Sequence, residues 1–162
     1  MGLRFDHVGI AVWDLRPATE LWGGVLGGRF VQGAPDYAGY AFLQLEYEAG
    51  SRVELLSPTS DRQGFLARFL EREGEGVHHL TFLTDDLRSE CARLRSLGQR
   101  VMDEDFSNPR WMEAFISASL GGRRLLVQIA QSDLDQQGQD RLHSDHSLET
   151  LLRTAAELSQ QK

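Results

Sequence analysis

One cysteine, Cys91, is all the thiol chemistry in this chain of 162 residues. No intrachain disulfide can form, which fits a reducing compartment. Cations are also short: 17 Lys and Arg stand against 24 Asp and Glu, a net charge of −7. Nucleic-acid binding wants Lys and Arg clustered on one face, so no nucleic-acid partner is expected. A small phosphorylated ligand needs only a local basic patch and stays open. No apolar run approaches the ~20 residues that cross a bilayer. The opening Met1-Gly2-Leu3-Arg4 lacks the charged and apolar regions of a secretory leader. The expectation is a cytoplasmic protein with no membrane partner. Its length leaves room for one compact domain, or for two small modules sharing a core.

What is present is a repeat. Phe5 to Val12 reads as a strand closed by Asp14, and a helix over about 16–26 follows, stopped by Gly27-Gly28. The same order returns as a strand from His79 to Thr84, then Asp86-Leu87, a helix over about 88–97 and Gly98. Strands over 40–45 and 52–56 flank the turn Glu48-Ala49-Gly50-Ser51. In the second half, Ala114–Ser117 and Leu125–Ile129 flank Leu120-Gly121-Gly122. Positions 7, 26, 42 and 54 map onto 79, 97, 115 and 128, at offsets of 72, 71, 73 and 74 residues. A near-constant period of this kind marks a duplicated unit. Each half reads strand, helix, then two or three further strands. Ser57-Pro58-Thr59-Ser60 and a short helix over 65–73 join the halves. A polar tail follows from Gln131, where Leu148, Leu151, Leu152, Ala155 and Leu158 recur at helical spacing after the cap Ser147. That helix is expected to pack on the domain or on a partner subunit. His143 and His146 read as solvated residues of the tail, and Cys91 as buried filler in the second helix.

The repeat gives His7 and His79 equivalent addresses on the first strand of each half, and Glu54 and Gln128 equivalent addresses on the last. Imidazole nitrogen, carboxylate oxygen and amide oxygen make a mixed set that suits Zn, Ni, Co, Mn or Fe(II). A lone histidine or glutamate in an apolar strand has simpler explanations, as a satisfied core group or an outward edge position. Two polar pairs related by the repeat do not, because a buried Glu costs several kcal/mol unless paired or coordinated. One shared divalent ion is expected, held by His7, Glu54, His79 and Gln128.

The segments DHVGIAVWDL, VELLSPTS, FLEREGEGVHHLTFLTDDL and LLVQIAQ resemble the vicinal oxygen chelate superfamily, most closely its methylmalonyl-CoA epimerase-like branch, over about residues 5–130. The resemblance implies an α+β fold of two tandem βαβββ modules forming a cupped mixed sheet, with metal ligands on the first and last strand of each. The modules span about 5–57 and 77–131 and the connector 58–76, all within a domain of 1–131. The tail 132–162 stands outside. The implied activity is metal-dependent proton transfer next to a carbonyl or thioester, as in an epimerase, isomerase or lyase. An acyl-CoA or other thioester is the implied substrate, and a homodimer the expected assembly.

Two departures stand out against the epimerase pattern. That pattern carries Gln at the module-one position and Glu at the module-two position; here Glu54 comes first and Gln128 second. It also has an acidic base on an early strand of module one, where this chain offers Tyr40, Ala41 and Phe42. Glu54 is therefore expected to be ligand, base or both, with Glu113 as the other catalytic carboxylate. In the rim segment Asn108-Pro109-Arg110-Trp111-Met112-Glu113, Arg110 is expected to meet a substrate carboxylate or phosphate, and Trp111 to cover an acyl or aromatic group. A glyoxalase-type lyase acting on a thiol adduct, a non-haem Fe(II) oxygenase and a small-ligand binding protein are the alternatives.

Overall fold

Asp14 and Asp86 do the same job at matching places in the chain. Each is extended and accepts a backbone N–H from the turn that follows, Asp14 from Arg16 (2.9 Å) and Asp86 from Ser89 (3.0 Å). Each thereby ends a strand and opens a helix. In the computed structural model, which describes residues 2–59, 64–120 and 123–160, the strands are β1 (Arg4–Ala11) and β5 (Gly76–Leu83). The helices are α1 (Leu15–Thr19), continued by a π-helical stretch over Glu20–Val25, and α3 (Leu87–Ser96). Gly27 and Gly98 end them at a φ of 78°, a conformation in which a Cβ clashes.

Three strands follow each helix: β2 (Arg29–Tyr37), β3 (Tyr40–Glu46) and β4 (Arg52–Pro58), then β6 (Met102–Asp105), β7 (Met112–Leu120) and β8 (Arg123–Gln131). Helix α2 (Phe65–Glu73) lies in the connector, and α4 (Gln136–Asp140) and α5 (Leu148–Gln160) form the tail. The strand order is β2-β3-β4-β1-β5-β8-β7-β6, the mixed α+β arrangement of tandem βαβββ modules that the sequence predicts. Ser60 of the expected linker and the turn Gly121-Gly122 lie outside the described residues.

Two compact units divide the chain. The first joins the residues up to Val8 with His78–Gln139. Its strand β5 runs parallel to β8, with Thr81 opposite Gln128, and β7 runs antiparallel to β8, with Phe115 opposite Gln128. Because side chains alternate across a strand, each face carries every second residue. One face is apolar: Ala114 and Ile129, with Phe82, Ile116 and Val127, pack under Leu87, Cys91 and Leu94 of α3. Cys91 is buried there, and burial pushes its thiol pKa up, as befits filler. The other face carries His79, Thr81, Glu113, Phe115 and Gln128.

The second unit joins Gly9–Val77 with the residues from Asp140 on. Strands β2, β3 and β4 are antiparallel, and Gln44 lies opposite Glu54. The repeat offsets pair Phe42 with Phe115, but the cross-strand partner of Glu54 is Gln44 while that of Gln128 is Phe115. The two hairpins thus differ in register by two residues, which is enough to keep the same face. Ala11, Ala34, Phe42 and Leu56 pack against Leu66 and Leu70 of α2.

The tail helix packs on the chain itself. Leu151, Leu152 and Ala155 are buried, and α5 lies against β2. A Cβ at Gly33 would come within 2.6 Å of the Leu151 Cδ1 and 2.5 Å of the Phe42 carbonyl oxygen, so this close approach requires glycine. The Gly33 N–H donates to the His143 carbonyl (3.0 Å). His143 itself is half-buried, edge-on to Tyr37 and Phe42, and burial lowers its pKa. It is not the solvated tail residue that its polar neighbours suggest. The Arg52 guanidinium, 2% exposed, donates to both Asp140 oxygens (2.6 and 3.0 Å) and to Glu46 (2.9 Å). Removing one partner of a buried ion pair is costly. Since Arg52 keeps Glu46, Asp140→Ala is expected to destabilise the protein by about 1–3 kcal/mol in denaturant melts. An unchanged midpoint would mean that the tail is not anchored through this pair.

Candidate metal centre

On the polar face of the first unit, hydrogen-bonded side chains run without a break from β1 to β7. The Asp6 carboxylate accepts from the His7 Nδ1 at 2.7 Å. A carboxylate only accepts, so Nδ1 holds a hydrogen and the Nε2 lone pair is left for other partners. Thr81 Oγ1 stands 3.0 Å from that Nε2 and donates to Gln128 Oε1 at 2.6 Å. Gln128 Nε2 donates to Glu113 Oε2 at 2.5 Å, and the Trp111 indole N–H reaches the same oxygen at 3.0 Å. His7, His79, Thr81 and Gln128 are all buried.

His79 faces His7 with ring centroids 5.5 Å apart and planes at 79°. Its Nδ1 lies 3.0 Å from Nδ1 of His78. Burial is the main cause that holds His79 well below the usual histidine pKa, with His7 and His78 adding to it. Burial also lowers His78 to about 4. Both rings are neutral at pH 7, the form in which imidazole binds a metal. The Nδ1 of His79 is occupied by His78, so Nε2 is the ligand-capable nitrogen of His79 when its Nδ1 carries the shared hydrogen.

The second unit prepares Glu54. Gln32 Nε2 donates to Gln44 Oε1, and Gln44 Nε2 to Glu54 Oε2, both at 2.9 Å. Gln32 and Gln44 are buried, so this relay of amides aims a donor at the carboxylate and fixes its orientation.

His7, Glu54 and His79 each offer one ligand atom, and these atoms all lie within 4.8 Å of one another. Ligand bonds of ~2.1 Å place adjacent donors about 3–4 Å apart, so small side-chain rotations bring the three onto one divalent ion. The hydrogen bonding supports the same fit. With Nδ1 of His7 committed to Asp6, Thr81 has one hydroxyl hydrogen between two acceptors, His7 Nε2 and Gln128 Oε1. An ion on the Nε2 lone pair removes that competition. Carboxylate-oriented histidine is also the usual outer shell of a metal site.

Of the residues that the sequence names, His7, Gln128, Glu113 and Trp111 lie in the first network and Glu54 in the second, while His79 meets His7 ring to ring and His78 through Nδ1. Trp111 is half-buried, and its indole N–H is spent on Glu113. Arg110 is exposed; its carbonyl accepts from Ser132 Oγ (2.6 Å), and the Pro109 carbonyl from the Asp133 N–H. Asp6, Thr81, Gln32 and Gln44 were missed. Asp6 was legible as the carboxylate next to a ligand histidine, and Thr81 and Gln44 as polar residues in otherwise apolar strands.

Tandem βαβββ modules carrying two buried His and a half-buried Glu within reach of one ion define a metal-chelating fold. Residues 6–115 match the model of the Glyoxalase/Bleomycin resistance protein/Dioxygenase superfamily, and the chain belongs to that family. An uncharacterized protein of Bacillus subtilis, YqjC, is 34% identical over 105 residues, 62% of this chain and 71% of its own. The ethylmalonyl-CoA/methylmalonyl-CoA epimerase of Cereibacter sphaeroides is 32% identical over 103 residues, covering 61% of this chain and 74% of that protein. The crystal structure of methylmalonyl-CoA epimerase from Mycobacterium tuberculosis superposes with a TM-score of 0.68 at 28% identity, over 81% of this chain and 89% of the other. The likeness and the ligand cluster together make this a metal-dependent enzyme of the isomerase and epimerase type.

Asp6→Asn replaces the acceptor facing His7 by an amide that can present either a donor or an acceptor. Affinity for Zn or Co is expected to fall about 10- to 100-fold in calorimetric titration, as loss of such outer partners typically costs. Undiminished affinity would show that Asp6 does not set the His7 tautomer.

Proposed function

We propose that this protein catalyses α-proton transfer on an acyl-CoA or related thioester, with His7, Glu54, His79 and Gln128 holding one divalent ion. The observation that carries the reading is the His7, Glu54 and His79 cluster, with Gln128 linking Thr81, beside His7, to the carboxylate of Glu113. The names of the similar epimerases supply the substrate class. Zn, Ni, Co, Mn and Fe(II) all suit the donor set. When bound, such an ion supplies Lewis acidity toward a carbonyl oxygen.

The chain's own groups supply the rest. Inverting a carbon next to a thioester needs one group to remove its proton and a second to return one to the opposite face. Glu54 and Glu113 are the two carboxylates for this work. Glu54 is oriented by Gln44 and serves as charged ligand and base. Glu113 is held by Gln128 and Trp111 and serves as its counterpart. Trp111 then positions Glu113 rather than covering an acyl group, while exposed Arg110 meets the substrate's carboxylate.

Glu54→Gln keeps the shape and removes the negative charge of the ligand set. Metal affinity is expected to fall at least tenfold, and deuterium exchange into an acyl-CoA α-position by about 10²-fold or more. Full turnover at saturating metal would place the base elsewhere, and Glu113→Gln would then abolish exchange. Two His and one carboxylate are also the ligands of non-haem Fe(II) oxygenases, which is the second reading. Oxygen uptake by the Fe(II)-loaded protein, without proton exchange, would favour it.

The assembly proposed is a homodimer. Leu21, Val25 and Leu26, on and beside one helical stretch, are 49%, 76% and 52% exposed, a cluster that association would cover. Sedimentation at micromolar concentration is expected to give about twice the 18.2 kDa chain mass. A single species at the chain mass would contradict it.

A further inference from the structure

The polar face of the first unit continues past Gln128. Ser119 is the cross-strand partner of Arg124, as Phe115 is of Gln128. By strand alternation Glu113, Ser117 and Ser119 of β7 share a face with Arg124 and Gln128 of β8. At that end a cavity of about 410 Å³ opens, lined by Arg100, Met102, Ser117, Ser119 and Arg124. Four strand positions separate Arg124 from Gln128, a distance of about 13 Å at ~3.3 Å per residue.

Both arginines are exposed, and neither makes an ion pair among the described residues. Three other arginines of this unit are engaged: Arg93 pairs with Glu90, Arg95 pairs with Glu104, and Arg88 stacks over Phe106. Two guanidinium groups converging on one cavity repel each other. In a chain with seven more acidic than basic residues, that convergence is explained by an anion that both can hold. Guanidinium forks and serine hydroxyls together match phosphate oxygens.

We propose that Arg100 and Arg124, with Ser117 and Ser119, form an anion subsite for the phosphate-bearing tail of the substrate. The inference rests on the acyl-CoA reading above. It adds that a thioester placed near His7 and Gln128 extends its pantetheine arm along β8, and that the diphosphate reaches these arginines. An extended pantetheine arm is long enough for a span of about 13 Å. Electrostatic capture at an exposed site also predicts that binding weakens as salt rises.

The test is calorimetry on the metal-loaded full chain, with coenzyme A, pantetheine and inorganic pyrophosphate as probes. Wild type is compared with the double variant R100Q/R124Q, whose unchanged melting temperature shows that it folds. The expected result is that wild type binds coenzyme A at least about tenfold tighter than pantetheine at low salt, and that the double variant loses this preference. Coenzyme A binding equally well to both proteins would overturn the subsite and leave the acyl-CoA reading standing. Pyrophosphate binding to wild type but not to the variant, with no binding of coenzyme A or pantetheine, would support the anion subsite and sink the acyl-CoA reading. No arginine-dependent binding of any probe would overturn the subsite.

Discussion

Two buried imidazoles, His7 and His79, face each other with ring centroids 5.5 Å apart, and burial keeps His79 from taking a proton. Much of the surrounding structure answers to that constraint. Neutral rings in such a place need polar partners from outside, Asp6 at the Nδ1 of His7 and His78 at the Nδ1 of His79. The Asp6 carboxylate fixes the hydrogen of His7 on Nδ1 and leaves its Nε2 with the lone pair. A carboxylate within 4.8 Å of both completes a donor set whose only negative charge is Glu54. A dication is the species that such a set stabilises, since it offsets the carboxylate charge and accepts every lone pair at once.

The strands serve this constraint by segregating their faces. In the first unit α3 covers Ala114 and Ile129, so the alternate residues Glu113, Phe115 and Gln128 turn the other way. Polar side chains on that face are satisfied by one another, from Asp6 through Thr81 to Trp111. A chain of this kind is rigid when complete and costly when one member is lost, because each remaining group keeps its desolvation penalty. The relay Gln32, Gln44, Glu54 in the second unit follows the same rule.

Much of this was legible in the amino-acid order. The Asp caps, the Gly stops and the repeated histidines carry strong local signals, and they marked both modules and the two histidines of the His7, Glu54 and His79 cluster. Strands β2 and β6 were harder to see for physical reasons. β2 contains Gly33, Pro35 and Asp36, which read as a loop, and β6 is the acidic Met102-Asp103-Glu104-Asp105. Both are edge strands, where charge and proline deter pairing with other chains. Hydrogen-bond networks were less legible still. Thr81 and Gln44 stand out as polar residues in apolar strands, but their partners depend on cross-strand register. That register differs between the hairpins by two residues. The burial of His143 likewise follows from α5 returning to β2, which no local pattern announces.

X-ray absorption on protein reconstituted with one equivalent of zinc or cobalt examines the ligand set directly. The structure predicts two imidazole nitrogens and at least one oxygen at about 2.0–2.2 Å. His79→Ala should remove one imidazole contribution from the spectrum. A shell of oxygens alone, or a metal content well below one per chain after reconstitution, would contradict the metal centre itself.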